Sequence, residues 1–169
     1  MSIEGLEKRI QMLEDLEAIK KLKFRYAELC DTGYDPDRLA SLFTENAVFI
    51  LTEHGVTMER TVGKEKIRQR FVVMPQRITF AVHNFTDPTI EVGDNKAEGR
   101  WYMWALQTLG DGLCTFGCGV YHDKYEKVNG QWMIAETHLS IFFRAPYGKG
   151  WGEIKLAPPP EQKKGSKGP

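Results

Sequence analysis

Three side chains in this sequence have the types and setting for proton-transfer chemistry: Tyr26, Asp31 and His83. Asp31 closes the stretch Leu16–Asp31, LEAIKKLKFRYAELCD, whose apolar spacing predicts an amphipathic helix. An acid is misplaced there, because the helix dipole leaves partial negative charge at the C-terminus and favours cations. Thr32 and Gly33 follow as the stop, with glycine suited to the left-handed residue after a helix. Both the dipole and any burial raise the pKa of such an acid, which makes Asp31 a candidate for chemistry. The alternative is a solvated carboxylate at a frayed end.

His83 is the second candidate. In Thr79–Phe85 strand alternation puts Thr79, Ala81, His83 and Phe85 on one face, with Phe80, Val82 and Asn84 on the other. A lone histidine on an apolar face is more often structural than catalytic. An available acid shifts that balance. Asp31 would accept a bond from one imidazole nitrogen, fix the tautomer and raise the basicity of the other nitrogen. Such a pair is the minimum needed to take a proton from carbon or oxygen. Tyr26 adds a phenolic donor that would steady an enolate or protonate a leaving hydroxyl. Residues five apart do not share a face of an ideal helix, so Tyr26 and Asp31 converge only if the helix ends or bends between them.

These residues depend on the elements around them. Leu6, Ile10, Leu13, Leu16 and Ile19 recur every three to four residues, and Leu22 and Tyr26 continue the stripe. Asp15 could cap a fresh helix, so one long helix and two shorter ones both fit. Asp35-Pro36 is a firmer start signal, opening a helix that buries Leu39, Leu42 and Phe43 before an apolar strand at Ala47–Leu51. A further helix is expected from Lys64 to about Phe71. From about Arg77 the pattern turns to strands: Thr89–Val92, Lys96–Leu109, Leu113–Glu126 and Gln131–Phe143. Turn signals at Gly93-Asp94-Asn95, Gly110-Asp111-Gly112 and Asn129-Gly130 separate them and make an antiparallel meander. Helices followed by a curved antiparallel or mixed sheet give an α+β domain over residues 1–150. Residues 151–169 contain LAPPPEQKKGSKGP, which reads as a partly disordered tail, with Ile154–Pro160 free to lie over a neighbouring surface.

Composition narrows the function. In 169 residues, 23 basic side chains balance 23 acidic ones, which gives no reason to expect nucleic acid or an anionic membrane as partner. No apolar run is long enough to span a bilayer, and the charged N-terminal residues do not resemble a secretory leader. Cys30, Cys114 and Cys118 lack metal-site spacing and read as reduced thiols of a cytoplasmic protein. His54, His83, His122 and His138 form no metal-binding pattern, and no nucleotide loop or nucleophile elbow is present. Nine Phe, six Tyr, four Trp and six Met suffice for a core and for an apolar pocket suited to a hydrophobic small molecule.

On the segments DLEAIKKLKFRYAELCD, HNFTDPTIEV, EGRWYMW and DKYEKVNGQWMIAET the chain resembles the SnoaL-like branch of the nuclear-transport-factor-2-like superfamily, over roughly Leu6–Phe143. Within it the likeness is closest to the bile-acid 7α-dehydratases, with scytalone dehydratases and hexachlorocyclohexane dehydrochlorinases more distant. The resemblance implies a cone-shaped, cystatin-like α+β fold with a deep pocket, and a homotrimer. It implies that His83 removes a proton next to a carbonyl, that Asp31 orients it and that Tyr26 assists the leaving oxygen or the enolate. By the same matching Trp101, Met103, Tyr121, Leu139 and Ile141 line the pocket. Ile141 stands where the dehydratases carry an arginine; Arg144, three residues on, is expected on the opposite face of the strand.

The function these readings imply is a hydro-lyase acting on a cyclic hydrophobic substrate such as a steroid. It needs no cofactor or metal, because a carbonyl on the substrate can hold the negative charge. An isomerase or cyclase of the ketosteroid-isomerase type and a non-catalytic small-molecule binding module are the alternatives.

Overall fold

The computed structural model describes residues 2–148, so the expected tail from residue 151 lies outside the described residues. Helix α1 (Ile3–Asp31) is continuous and is capped by Ser2, whose side-chain oxygen accepts from the Gly5 N–H at 3.1 Å. Asp15 is not a cap. It lies buried in mid-helix and accepts from Lys127 Nζ at 2.7 Å and Trp132 Nε1 at 2.8 Å, which ties the helix to the sheet. Burial along α1 starts here and continues through Ile19, Lys23, Tyr26 and Cys30, while Leu6, Ile10 and Leu13 remain exposed.

Asp35 caps α2 (Pro36–Ala40) by accepting from the Asp37 and Arg38 N–H groups at 3.1 and 3.0 Å. This helix is shorter than its apolar spacing implied. Phe43 instead opens β1 (Phe43–Glu53), four residues before the expected strand. A hairpin that the sequence reading missed then forms: His54 and Gly55, with φ of 51° and 75°, turn the chain into β2 (Val56–Val62). After α3 (Lys64–Val72) and the short α4 (Met74–Arg77) come β3 (Ile78–Val92), β4 (Lys96–Leu109), β5 (Cys114–Val128) and β6 (Gln131–Pro146). The expected meander is β4–β5–β6. The six strands run in the order β2-β1-β6-β5-β4-β3, with β1 and β6 parallel and the other neighbours antiparallel. The α+β expectation therefore holds, with a mixed sheet. No helix among the described residues is long and apolar enough to cross a membrane.

The register sorts the helix-covered face of the sheet into rows. Phe49, Thr137, Asp123 and Gly99 form the deepest of the three that matter here. Leu51, Leu139, Tyr121 and Trp101 form the next, and Glu53, Ile141, Gly119, Met103 and Phe85 the one beyond it. β6 then carries a bulge. Gly119 pairs with Ile141 but Cys118 pairs with Phe143, so Phe142 is an extra residue. Every side chain after it changes face, and Arg144 arrives opposite Gly117 on the inner side. The expectation that Arg144 points away fails for this reason: simple alternation does not survive a bulge. Gly119 is required at that point, since a Cβ there would lie 2.6 Å from the Ser140 carbonyl oxygen.

Candidate active site

The end of α1 meets the middle of β3. Asp31 Oδ1 accepts from His83 Nδ1 at 2.6 Å, and both carboxylate oxygens accept from the His83 backbone N–H at 3.1 and 3.0 Å. These donors from β3 offset the unfavourable end of the helix dipole, which explains how an acid is tolerated there. The imidazole is nearly buried and the carboxylate about one-quarter exposed. A carboxylate on Nδ1 makes that nitrogen the N–H and leaves Nε2 with its lone pair, the form a general base needs.

Tyr26 is buried within the core. Its ring packs edge-on at 6.2–6.3 Å against Phe43, Phe71 and Tyr121. Burial pushes the Tyr26 and Tyr121 pKa values up, so both stay protonated phenols. Burial also pushes the neighbouring Cys30 thiol up to about 12. Tyr34, which the sequence reading did not select, closes this group. Its φ of 58° follows Gly33 at 104°, and its N–H donates to Leu29 O at 2.9 Å, which turns the ring back into the core. The Thr-Gly stop was visible in the sequence, but a tyrosine in a left-handed conformation is not a residue that turn chemistry selects.

Beneath the tyrosines lies an ion pair that the sequence reading also missed. Lys23 Nζ sits 2.7 Å from Asp123 Oδ2 with both side chains almost fully buried. The approach is off the directions of a well-formed hydrogen bond, so the contact is chiefly electrostatic. Burial holds the Lys23 pKa below its ordinary value despite the carboxylate. The ammonium also lies 3.5 Å from the centre of the Tyr121 ring and 4.7 Å from that of Phe85. Asp123 accepts from Tyr125 at 2.8 Å and Thr137 at 2.6 Å, and Trp101 Nε1 donates to the Tyr125 hydroxyl at 3.0 Å.

The residues expected to line a pocket all lie on the inner face: Met103 and Ile141 in the row next to His83, and Trp101, Tyr121 and Leu139 one row deeper. Phe85 joins them, 5.3 Å from Tyr121 and 6.5 Å from both His83 and Trp101. One surface depression lies elsewhere, on the outer face among Glu98, Arg100, His122, Lys124, Glu136 and His138, and does not reach the dyad. His138 there is bound to Thr52, Nε2 to Oγ1 at 2.8 Å, and His122 is exposed. Among the described residues no three His, Cys, Asp or Glu side chains are placed to hold a metal.

Known proteins share this arrangement of helices and sheet. A hexachlorocyclohexane dehydrochlorinase from Novosphingobium barchaimii is 22% identical, with a TM-score of 0.70 over 89% of this chain and 99% of its own. A candidate aromatic-ring hydroxylase from Novosphingobium aromaticivorans is 26% identical, with a TM-score of 0.72 over 79% of this chain and 94% of its own. A candidate scytalone dehydratase from the same organism is 20% identical, with a TM-score of 0.70 over 80% of this chain and 89% of its own. A further structure of this shape, with a TM-score of 0.67, is described as NTF2-like with a cystatin-like fold. A SnoaL-like domain matches residues 11–138, and the chain belongs to that family.

Proposed function

We propose that this protein is a cofactor-independent lyase that eliminates water, or another β-leaving group, from a cyclic hydrophobic substrate. The observation that carries this reading is the 2.6 Å bond between Asp31 and His83 Nδ1, which leaves Nε2 as the proton acceptor. In the reaction His83 takes the proton from the carbon next to a carbonyl, and the electron pair passes into the enolate. Collapse of the enolate expels the β-hydroxyl, which leaves as water after accepting a proton. Tyr26 and Tyr121, held as phenols by burial, suit the role of donor to the enolate or the leaving oxygen. A steroid-like ring system suits the apolar inner face at Phe85, which is partly buried and packs on Tyr121 and Trp101 of the core. Free thiols at Cys30, Cys114 and Cys118 suit the reducing cytoplasm.

The test is turnover. The protein is incubated with a library of cyclic β-hydroxyketones, and loss of water is followed by mass spectrometry. A substrate found in this way should lose about a hundred- to ten-thousand-fold in kcat with His83→Ala, the range for a positioned acid–base group. Asp31→Asn should retain the fold but turn over far more slowly, because the amide does not enforce the basic tautomer. A wild-type kcat in His83→Ala would make the histidine structural. Saturable binding without turnover would point to a binding module.

A further inference from the structure

We infer that the substrate of this site is elongated, reaching from the His83 imidazole to a second polar pole built from Arg144 and Glu53, and that it carries a neutral hydroxyl at that far end. The inference rests on the reading of His83 as the reacting pole, but its geometry is independent of the reaction. His83 pairs with Ala105, Ala105 with Gly117, and Gly117 with Arg144, so the four residues form one row across β3, β4, β5 and β6. The row spans three strand spacings, about 14 Å at the backbone. A Cβ placed on Gly117 would point at Arg144 Cγ, 3.9 Å away, which confirms that the arginine stem stands on the same side.

The two positions between the poles carry a methyl group and a hydrogen. At Gly119 the missing side chain is demanded by backbone, with Ser140 O at 2.6 Å. Gly117 has no such reason, since its nearest neighbours to a Cβ lie at 3.5 Å or more. The small pair Ala105 and Gly117 therefore leaves the row low between two tall polar ends. Behind it runs the apolar row of Phe85, Met103 and Ile141. This is the lining expected beside a ring system lying along the strands' hydrogen-bonding direction.

The far pole selects for a neutral group. Arg144 Nη2 lies 3.6 Å from Glu53 Oε1, an ion pair too long for a good hydrogen bond, with both side chains largely withdrawn from solvent. Among the described residues neither side chain makes a hydrogen bond, so donors of one and acceptors of the other are available side by side. A hydroxyl can accept from the guanidinium and donate to the carboxylate at once. A carboxylate on the ligand would face Glu53 and meet repulsion.

The experiment uses binding alone, measured by isothermal titration calorimetry. The probes are 4-hydroxybiphenyl, 4-methylbiphenyl and biphenyl-4-carboxylate. The wild-type protein should prefer the hydroxyl to the methyl probe by about tenfold or more, as hydrogen bonds to charged groups warrant. Arg144→Met and the conservative Glu53→Gln should each bring that ratio close to one. Gly117→Val should weaken both probes alike by filling the row. His83→Ala should leave the ratio intact, and a wild-type protein that shows the ratio but turns over no β-hydroxyketone would sink the elimination and keep this pole. Equal binding of the hydroxyl and methyl probes, or a ratio that survives both Arg144→Met and Glu53→Gln, would overturn the inference. So would a carboxylate probe that binds tightest.

Discussion

Asp31 and Asp123 are both acids in costly places, and each is held by a different device. Asp31 is offset by hydrogen bonds from one residue of β3, backbone and side chain together. Asp123 is offset by a full cation, Lys23, and by two hydroxyls. Desolvation makes a buried pair of this kind a weak source of net stability, yet removing one partner strands the other charge. Lys23→Met should therefore cost about 3–5 kcal/mol in denaturant unfolding. Lys23→Met combined with Asp123→Leu should recover a substantial part of that loss. Equal costs for the single and double variants would show that the lysine contributes packing under Tyr121 rather than charge. The first device leaves the Asp31 carboxylate about one-quarter exposed beside the imidazole proposed to react; the second supports the aromatic rings beneath it.

At the scale of elements, α1 is docked near its middle by Asp15. Burial would raise the pKa of this carboxyl, but hydrogen bonds from Lys127 and Trp132 outweigh it and leave the value below the ordinary 3.8. A depressed carboxyl contributes stability that is fully present above its unfolded value and is lost as pH falls through its folded one. The stability gap between wild type and Asp15→Asn should thus be largest near neutral pH, about 1–3 kcal/mol for a buried acceptor. Below about pH 4 it should shrink. Thermal melts across pH check this, and a gap constant down to pH 2 would deny the ionised carboxylate its role. The same elements show what a sequence exposes. The helix stop at Thr32-Gly33 and the alternation around His83 are local signals, so both halves of the dyad were legible before the fold was known. The bulge at Phe142 was not legible, because it exists only in the pairing of β6 with β5. The same holds for Lys23 of α1, whose partner is one hundred residues away on β5. β2 was missed because its residues are mostly exposed and four of the seven are polar, which leaves a weak apolar alternation.

For the whole molecule the question is what covers the outer face of the sheet. There Trp104 stacks on Phe116 at 5.5 Å, Phe143 packs against both, and Tyr102 meets Phe142 at 6.3 Å. Trp104, Leu106 and Phe142 are each 39–47% exposed within one chain. One face of the sheet is already filled by the core, so an aromatic patch of this size on the other face is what an interface between copies provides. We propose that three chains assemble through it, as the family resemblance implies, because a closed ring buries the same patch on every copy and leaves no open end. Light scattering at micromolar concentration should give three times the 19.4 kDa of a single chain. Trp104→Glu places a charge in the patch on the opposite face of the sheet from the dyad, one register pair along from His83, and should yield single chains that still fold. A wild-type mass of one chain, unchanged on dilution, would mean that the patch is covered from within the chain. Loss of turnover in the Trp104→Glu monomer, with the Asp31–His83 pair intact by NMR titration, would instead show that assembly supports the inner face by holding the sheet in its curve.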